Sequence, residues 1–228
     1  MNPRAESAPP LWRQLQLVAQ AVQGVREGRS LSAQLEQVEP ALRPGVQALS
    51  FHALRWLGTA EVLRRALARR APPPAVDALL CTALALAQPE PDALYEPFTL
   101  GNQTGEAARR QPALRVQSAF INACLRRFLR ERAALMATAL QDPVARWNHP
   151  RWWVERLKRD HPGHWPAILA AAQQPAPMDL RVNLQRTSVE AFSADLARHG
   201  LQADVLGGAA VRLHKPLPVF KRGDRWDW

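Results

Sequence analysis

The sequence predicts a mainly α protein: a helical bundle followed by a small α+β module. Three observations carry this. Apolar residues recur at helical spacing from residue 11 to about residue 140, with no strand-type alternation. Prolines at 40, 44, 72–74, 89, 91, 97 and 112 mark the connections between those segments. Convincing alternation first appears in Met178-Asp179-Leu180-Arg181-Val182-Asn183-Leu184. The expected division is a loose leader at 1–10, a bundle at 11–141, an α+β module at 142–218 and an aberrant tail at 219–228.

In order, Leu11, Leu15, Val18, Val22 and Val25 line one face of a first helix. Ser30 is placed to cap Leu31–Val38. A long helix is expected from about Val46, with Leu49, Ala53, Trp56, Leu57 and Ala60 inward, and Pro72-Pro73-Pro74 closes that region. Ala75–Gln88 is apolar almost all round, with Asp77 its only charge, so it belongs at the centre of the bundle. Tyr95–Arg110 follows as a helix, Pro112 breaks it, and one more helix runs from 118 to about Leu140. That makes five to seven helices in an all-α bundle.

The helix beginning at Ser118 is the most informative. At about 100° per residue, Phe120, Ile121, Cys124, Leu125, Phe128 and Leu129 form a wide apolar sector expected to be buried. Ser118, Asn122, Arg126 and Arg130 recur every fourth residue as one polar stripe, widened at its edges by Arg127 and Arg132.

Beyond Asp142-Pro143 the tryptophans Trp147, Trp152, Trp153 and Trp165 crowd among basic residues. They serve either as packing between modules or as stacking surfaces for bases. Short helices are expected at 150–159 and 162–173, then the strand at 178–184 and a helix over Val189–His199 capped by Thr187 or Ser188. Two short strands, Ala203–Leu206 and Ala210–Leu213, flank Gly207-Gly208. Residues 219–228 show no periodicity and no capping logic, as if the chain stopped before completing a fold.

At 228 residues and 47% apolar content the chain can bury a sizeable core. Its net charge is +10, and all but three of its 30 basic residues are Arg. Codon bias accounts for Arg over Lys but not for the surplus itself, which favours a polyanion such as nucleic acid. Guanidinium groups contact phosphate bidentately and stack on bases. Arg126, Arg127 and Arg130 have only Glu131 to offset them locally, and Arg109, Arg110 and Arg115 enter from the preceding segment. RNA contact is therefore preferred to a merely solvated helix face.

No catalytic residue is expected. Cys81 and Cys124 sit among helical apolar residues with no adjacent base, so both read as core thiols. The six histidines are scattered; Asp160, His161 and His164 surround Pro162-Gly163, a helix-start turn more simply than a metal site. No metal, no signal peptide and no membrane span is expected, which gives a cytoplasmic protein.

Ala119-Phe120-Ile121-Asn122-Ala123-Cys124-Leu125-Arg126-Arg127 resembles the last helix of the NusB-like domain, usually written Gly/Ala-Phe-Val-Asn-Ala-Val-Leu-Arg-Arg, with Cys124 in place of Val. Gly28-Arg29-Ser30-Leu31 resembles the early Gly-x-Ser-Leu turn of the same domain. Pro150-Arg151-Trp152-Trp153, His161-Pro162, Leu180-Arg181-Val182-Asn183 and Arg186-Thr187-Ser188 extend the likeness over roughly residues 11–218. Together they resemble the N-terminal half of the RsmB-type 16S rRNA cytosine-5 methyltransferases, of the Nop2/Sun family.

That resemblance implies an RNA-binding front end whose partner is RNA, 16S rRNA in particular. It also implies that S-adenosylmethionine and two catalytic cysteines belong to a further Rossmann-like domain. No cofactor is expected on this chain, whose sequence shows no Gly-rich cofactor loop and no Pro-Cys motif, so a truncated, inactive front end is expected. Candidate RNA contacts are Asn122, Arg126, Arg127, Arg130, Arg109 and Arg110, with Arg181, Asn183 and Arg186 from the second module. A stand-alone NusB-like antitermination or regulation factor is the alternative, against which the 142–218 segment counts. The oligomeric state stays open.

Overall fold

The computed structural model describes residues 9–88 and 94–216. The leader before residue 9, the connection at 89–93 and the tail expected at 219–228 lie outside the described residues. Contacts divide the chain into two compact units, the first ending at Gln173 and the second beginning at Gln174.

Among its described residues the regular elements of the first unit are all helices: α1 (Leu11–Arg26), α2 (Leu31–Glu36), α3 (Arg43–Arg55), α4 (Leu57–Leu67), α5 (Pro74–Leu86), α6 (Pro97–Arg110), α7 (Pro112–Arg115), α8 (Ser118–Ala139), α9 (Pro143–Trp147), α10 (Arg151–Asp160) and α11 (Trp165–Gln173). α5 packs against α1, α3, α4, α6 and α8, and every residue from Ala78 to Leu86 is buried. Its near-absence of charge is the sequence cause of that central position. The one carboxylate it carries, Asp77, receives Arg26 Nη1 at 2.8 Å and Arg64 Nε at 2.7 Å, tying α1 and α4 to its first turn.

Two expectations are corrected here. The long helix from Val46 is two helices that meet at Trp56, whose backbone (φ −105°, ψ 14°) leaves the helical region. Apolar spacing runs through the junction, so periodicity alone could not reveal the break. The bundle up to residue 141 therefore holds eight helical segments among the described residues, not five to seven, with the four-residue α7 included.

The helices after residue 142 pack onto the bundle. α9 sits against α4, where Thr59 N–H donates to Asn148 Oδ1 at 2.7 Å and Thr59 Oγ1 donates to Ala145 O at 2.8 Å. Gly58 makes the approach possible, because a Cβ there would stand 2.5 Å from Val144 O. Asn148 adopts a left-handed conformation (φ 51°, ψ 34°) that ends α9. Gln173 Nε2 then donates to Trp147 O at 2.8 Å, binding the end of α11 to the same corner. Val154, Leu157 and Leu169 form a satellite core flanked by Trp147 and Trp165, whose rings meet edge to face at 5.3 Å. These two indoles are packing elements within the first unit.

The second unit is β1 (Met178–Arg181), α12 (Val189–Arg198), β2 (Ala203–Gly207) and β3 (Ala210–Leu213), in an antiparallel sheet of order β1-β3-β2. Among the described residues its buried core is Val182, Val189, Phe192, Leu196, Val211 and Leu213. Alternation places Val211 and Leu213 inward and Arg212 outward, where it pairs with Asp179 on β1 at 2.7 Å. Ser188 Oγ caps α12 by accepting from Ala191 N–H.

Candidate RNA-binding face

α8 presents its apolar sector to the bundle, with Ile121, Cys124, Leu125 and Phe128 buried. Leu129 departs from expectation: it is 38% exposed and lines a cleft between α6 and α8 instead of entering the core. At Glu131 the helix is kinked (φ −109°, ψ 17°). Beyond the kink Arg132 does not widen the positive stripe as expected. It is half-buried, donates to Ala87 O at 2.6 Å past the end of α5, and lies over the Phe128 ring at 5.2 Å.

The cleft has a volume of about 210 Å³ and is lined by Phe98, Gly101, Arg109, Asn122, Arg126 and Leu129 among others. Gly105 sets the close approach of its two walls. A Cβ there would stand 2.8 Å from Asn122 Oδ1 and 3.5 Å from Arg109 Nη1, so the missing side chain lets Asn122 and Arg109 converge over α6. Of the residues singled out in the sequence, Asn122, Arg126 and Arg109 are therefore brought together in one cleft.

The electrostatics divide the cations into two kinds. Glu106 receives both Arg109 and Arg110, with Arg109 Nη2 at 2.7 Å. Glu131 receives both Arg127 and Arg130, each at 2.9 Å. Hydrogen bonds from these guanidinium groups hold both carboxyls below their usual range. Each set of two arginines thus keeps about one net positive charge. Arg110 is further anchored over the Trp12 ring at 4.5 Å. Arg126, by contrast, is exposed and has no ion-pair partner among the described residues, and the Asn122 amide has no hydrogen-bond partner among them.

The remaining candidates lie in the second unit. Arg181 ends β1 and Arg186 follows in a turn, both exposed. Asn183 builds that turn: its Oδ1 accepts from Gln185 N–H at 3.1 Å and its carbonyl from Arg186 N–H at 3.0 Å.

Cys81 and Cys124 are both free and buried. Burial pushes the Cys81 thiol up to about 12 and raises that of Cys124, opposite to what a reactive thiolate needs. Among the described residues no group of three or more His, Cys, Asp or Glu is placed to hold a metal ion. No described helix is long and apolar enough to cross a membrane. Sequence reasoning missed Phe98, which is 83% exposed on the cleft wall. Its signal was present: an aromatic directly after Pro97, on a helix whose face carries Gly101 and Gly105.

Residues 149–220 match a family model described as the RsmF/B-like methyltransferase ferredoxin-like domain. The chain is 34% identical over 212 residues to ribosomal RNA small subunit methyltransferase B of Pseudomonas putida, covering 89% of this chain and 45% of that protein. It is 32% identical over 208 residues to the protein of the same name from Pseudomonas syringae pv. tomato, covering 89% and 44%. With the Erwinia tasmaniensis protein it shares 38% identity over 126 residues, covering 52% and 28%. The chain thus spans less than half the length of these relatives. A crystal structure described as that of PH0851 matches with a TM-score of 0.54 at 12% identity, covering 93% of this chain and 50% of that one, and shows likeness of fold alone. Matches running through both units disfavour a stand-alone NusB-like factor.

Proposed function

We propose, because this chain is homologous to the N-terminal part of ribosomal RNA small subunit methyltransferase B, that it is the RNA-holding portion of such an enzyme. In this reading the bundle at 11–141 grips 16S rRNA in the bacterial cytoplasm. The segment at 142–218 hands the RNA on to an S-adenosylmethionine-dependent domain that methylates cytosine. The observation that carries the reading is the cleft in which Asn122 and Arg126 stand without partners among the described residues, beside Arg109. Arg127, Arg130 and Arg110 flank it as contributors to phosphate binding. Arg181, Asn183 and Arg186 are contacts of the handover segment, Arg181 and Arg186 through charge and Asn183 through the turn it builds.

The described residues do not fit S-adenosylmethionine. Their only sheet is antiparallel, and Gly207-Gly208 joins two of its strands. A strand-to-helix glycine turn at the switch point of a parallel sheet, as dinucleotide-type sites require, has no counterpart there. Burial that raises both cysteine thiols supports assigning methyl transfer to a further domain in this reading.

Fluorescence anisotropy of the full chain with a 16S rRNA fragment tests the reading. Affinity should fall with rising salt as phosphate-bound counterions are displaced. The double substitution Arg126→Glu with Arg130→Glu should weaken it further. Binding insensitive to both would refute the proposal.

A further inference from the structure

We infer that the α6/α8 cleft takes a single unpaired nucleobase of the bound RNA strand, stacked on Phe98 and held at its edge by Asn122. The inference rests on the RNA-binding reading above and goes beyond it, because arginine contacts to phosphate require neither residue.

Phe98 is 83% exposed, an unusual position for a phenyl ring in a unit whose other large aromatics are mostly packed. It lines the same cleft as Asn122 and Arg126. The Asn122 amide offers a donor and an acceptor side by side, neither of them used by the protein among the described residues, and Gly105 leaves the space in which it stands. An aromatic face, an amide that can pair with a base edge and an uncompensated guanidinium for the adjoining phosphate are the three groups by which single-stranded RNA is recognised. At about 210 Å³ the cleft is smaller than sites for drug-sized ligands, which run to roughly 300–1,000 Å³, and suits one base but not a base pair. Every base carries an adjacent donor and acceptor on its Watson–Crick edge, and pairing occupies both. At that edge Asn122 accepts an unpaired base and not a paired one, without choosing one base identity over another.

The test uses the full chain with a fluorescein-labelled single-stranded RNA octamer and a blunt RNA duplex of equal length. Wild type should prefer the single strand. Phe98→Ala should weaken single-strand binding about tenfold and leave duplex binding unchanged, and Phe98→Trp should restore it. Asn122→Ala should lower the single-strand preference in the same direction. Equal weakening of both RNAs by Phe98→Ala, or no effect on either while wild type binds RNA, overturns the base site and leaves phosphate binding standing. No salt-sensitive binding of either RNA by wild type removes both readings together.

Discussion

The two asparagines at the candidate sites, Asn122 on α8 and Asn183 after β1, do opposite work. Asn183 spends its side chain and its carbonyl on its own turn. Asn122 makes no such bond, because the helix and the core beneath it already fix the backbone; Ile121, Cys124, Leu125 and Phe128 anchor that side of α8. Among the described residues the second unit has six buried core residues, and its loop is held in shape by local hydrogen bonds. A deep core frees polar side chains for a ligand, whereas a shallow one consumes them.

The strongest contrast should come from the two cores. Phe128→Ala and Phe192→Ala each remove a buried phenyl, at a cost of about 3–5 kcal/mol. In the first unit the other buried residues retain the fold, and denaturation should show a lowered but cooperative midpoint. In the second unit the same loss should melt the sheet while the helical circular dichroism of the bundle persists. Equal, global unfolding in both variants would erase the contrast.

Next in size is the difference between free and paired arginines. Arg126→Glu should reduce RNA affinity about tenfold or more, the scale of a lost charged hydrogen bond of roughly 1.5–3 kcal/mol. Arg127→Glu should cost less, since Arg127 already shares Glu131. Conversely, Glu131→Gln should strengthen binding several-fold by releasing Arg127 and Arg130. A loss of affinity in that variant would show that the pair positions the arginines and does not neutralise them.

Smaller still is the effect on stability of the asparagines themselves. Asn183→Ala should destabilise the second unit by about 0.5–1.5 kcal/mol, one hydrogen bond's net worth, while Asn122→Ala should leave the melting midpoint unchanged. Least of all should pH matter. Glu106 and Glu131 are held low, so their pairing stabilises above the ordinary carboxylate range and is lost only as pH falls through the lowered values. Between about pH 6 and 8 these pairs stay intact, and RNA affinity should not change through them.

Much of the bundle was legible because burial imposes a period on the sequence. The uncharged run of α5 announced its central place, and Ser118–Ala139 forms one helical run despite its kink. The break at Trp56 was not legible, because both flanking helices keep their apolar residues in phase. The compact units part at Gln173, whereas composition changes near residue 142. The reason is that α9 docks on α4 through Thr59 and Asn148, contacts between residues 89 apart that no local pattern encodes. At the candidate site the stripe of Asn122 and Arg126 could be read directly. The neutralising role of Glu106 was also in reach, since Arg109 and Arg110 lie three and four residues on. The exposure of Leu129 and the inward turn of Arg132 depend on how α6 and the end of α5 pack against α8, and only the tertiary structure reveals them.

If the α6/α8 face binds RNA through its uncompensated charge, the salt dependence of 16S rRNA affinity must register the loss of Arg126. Titrations of the full chain and of Arg126→Ala across a salt series should each give a linear fall of log affinity with log salt. The slope should be shallower by about one in the variant. The same slope in both proteins, or no salt dependence in either, would contradict binding by this face.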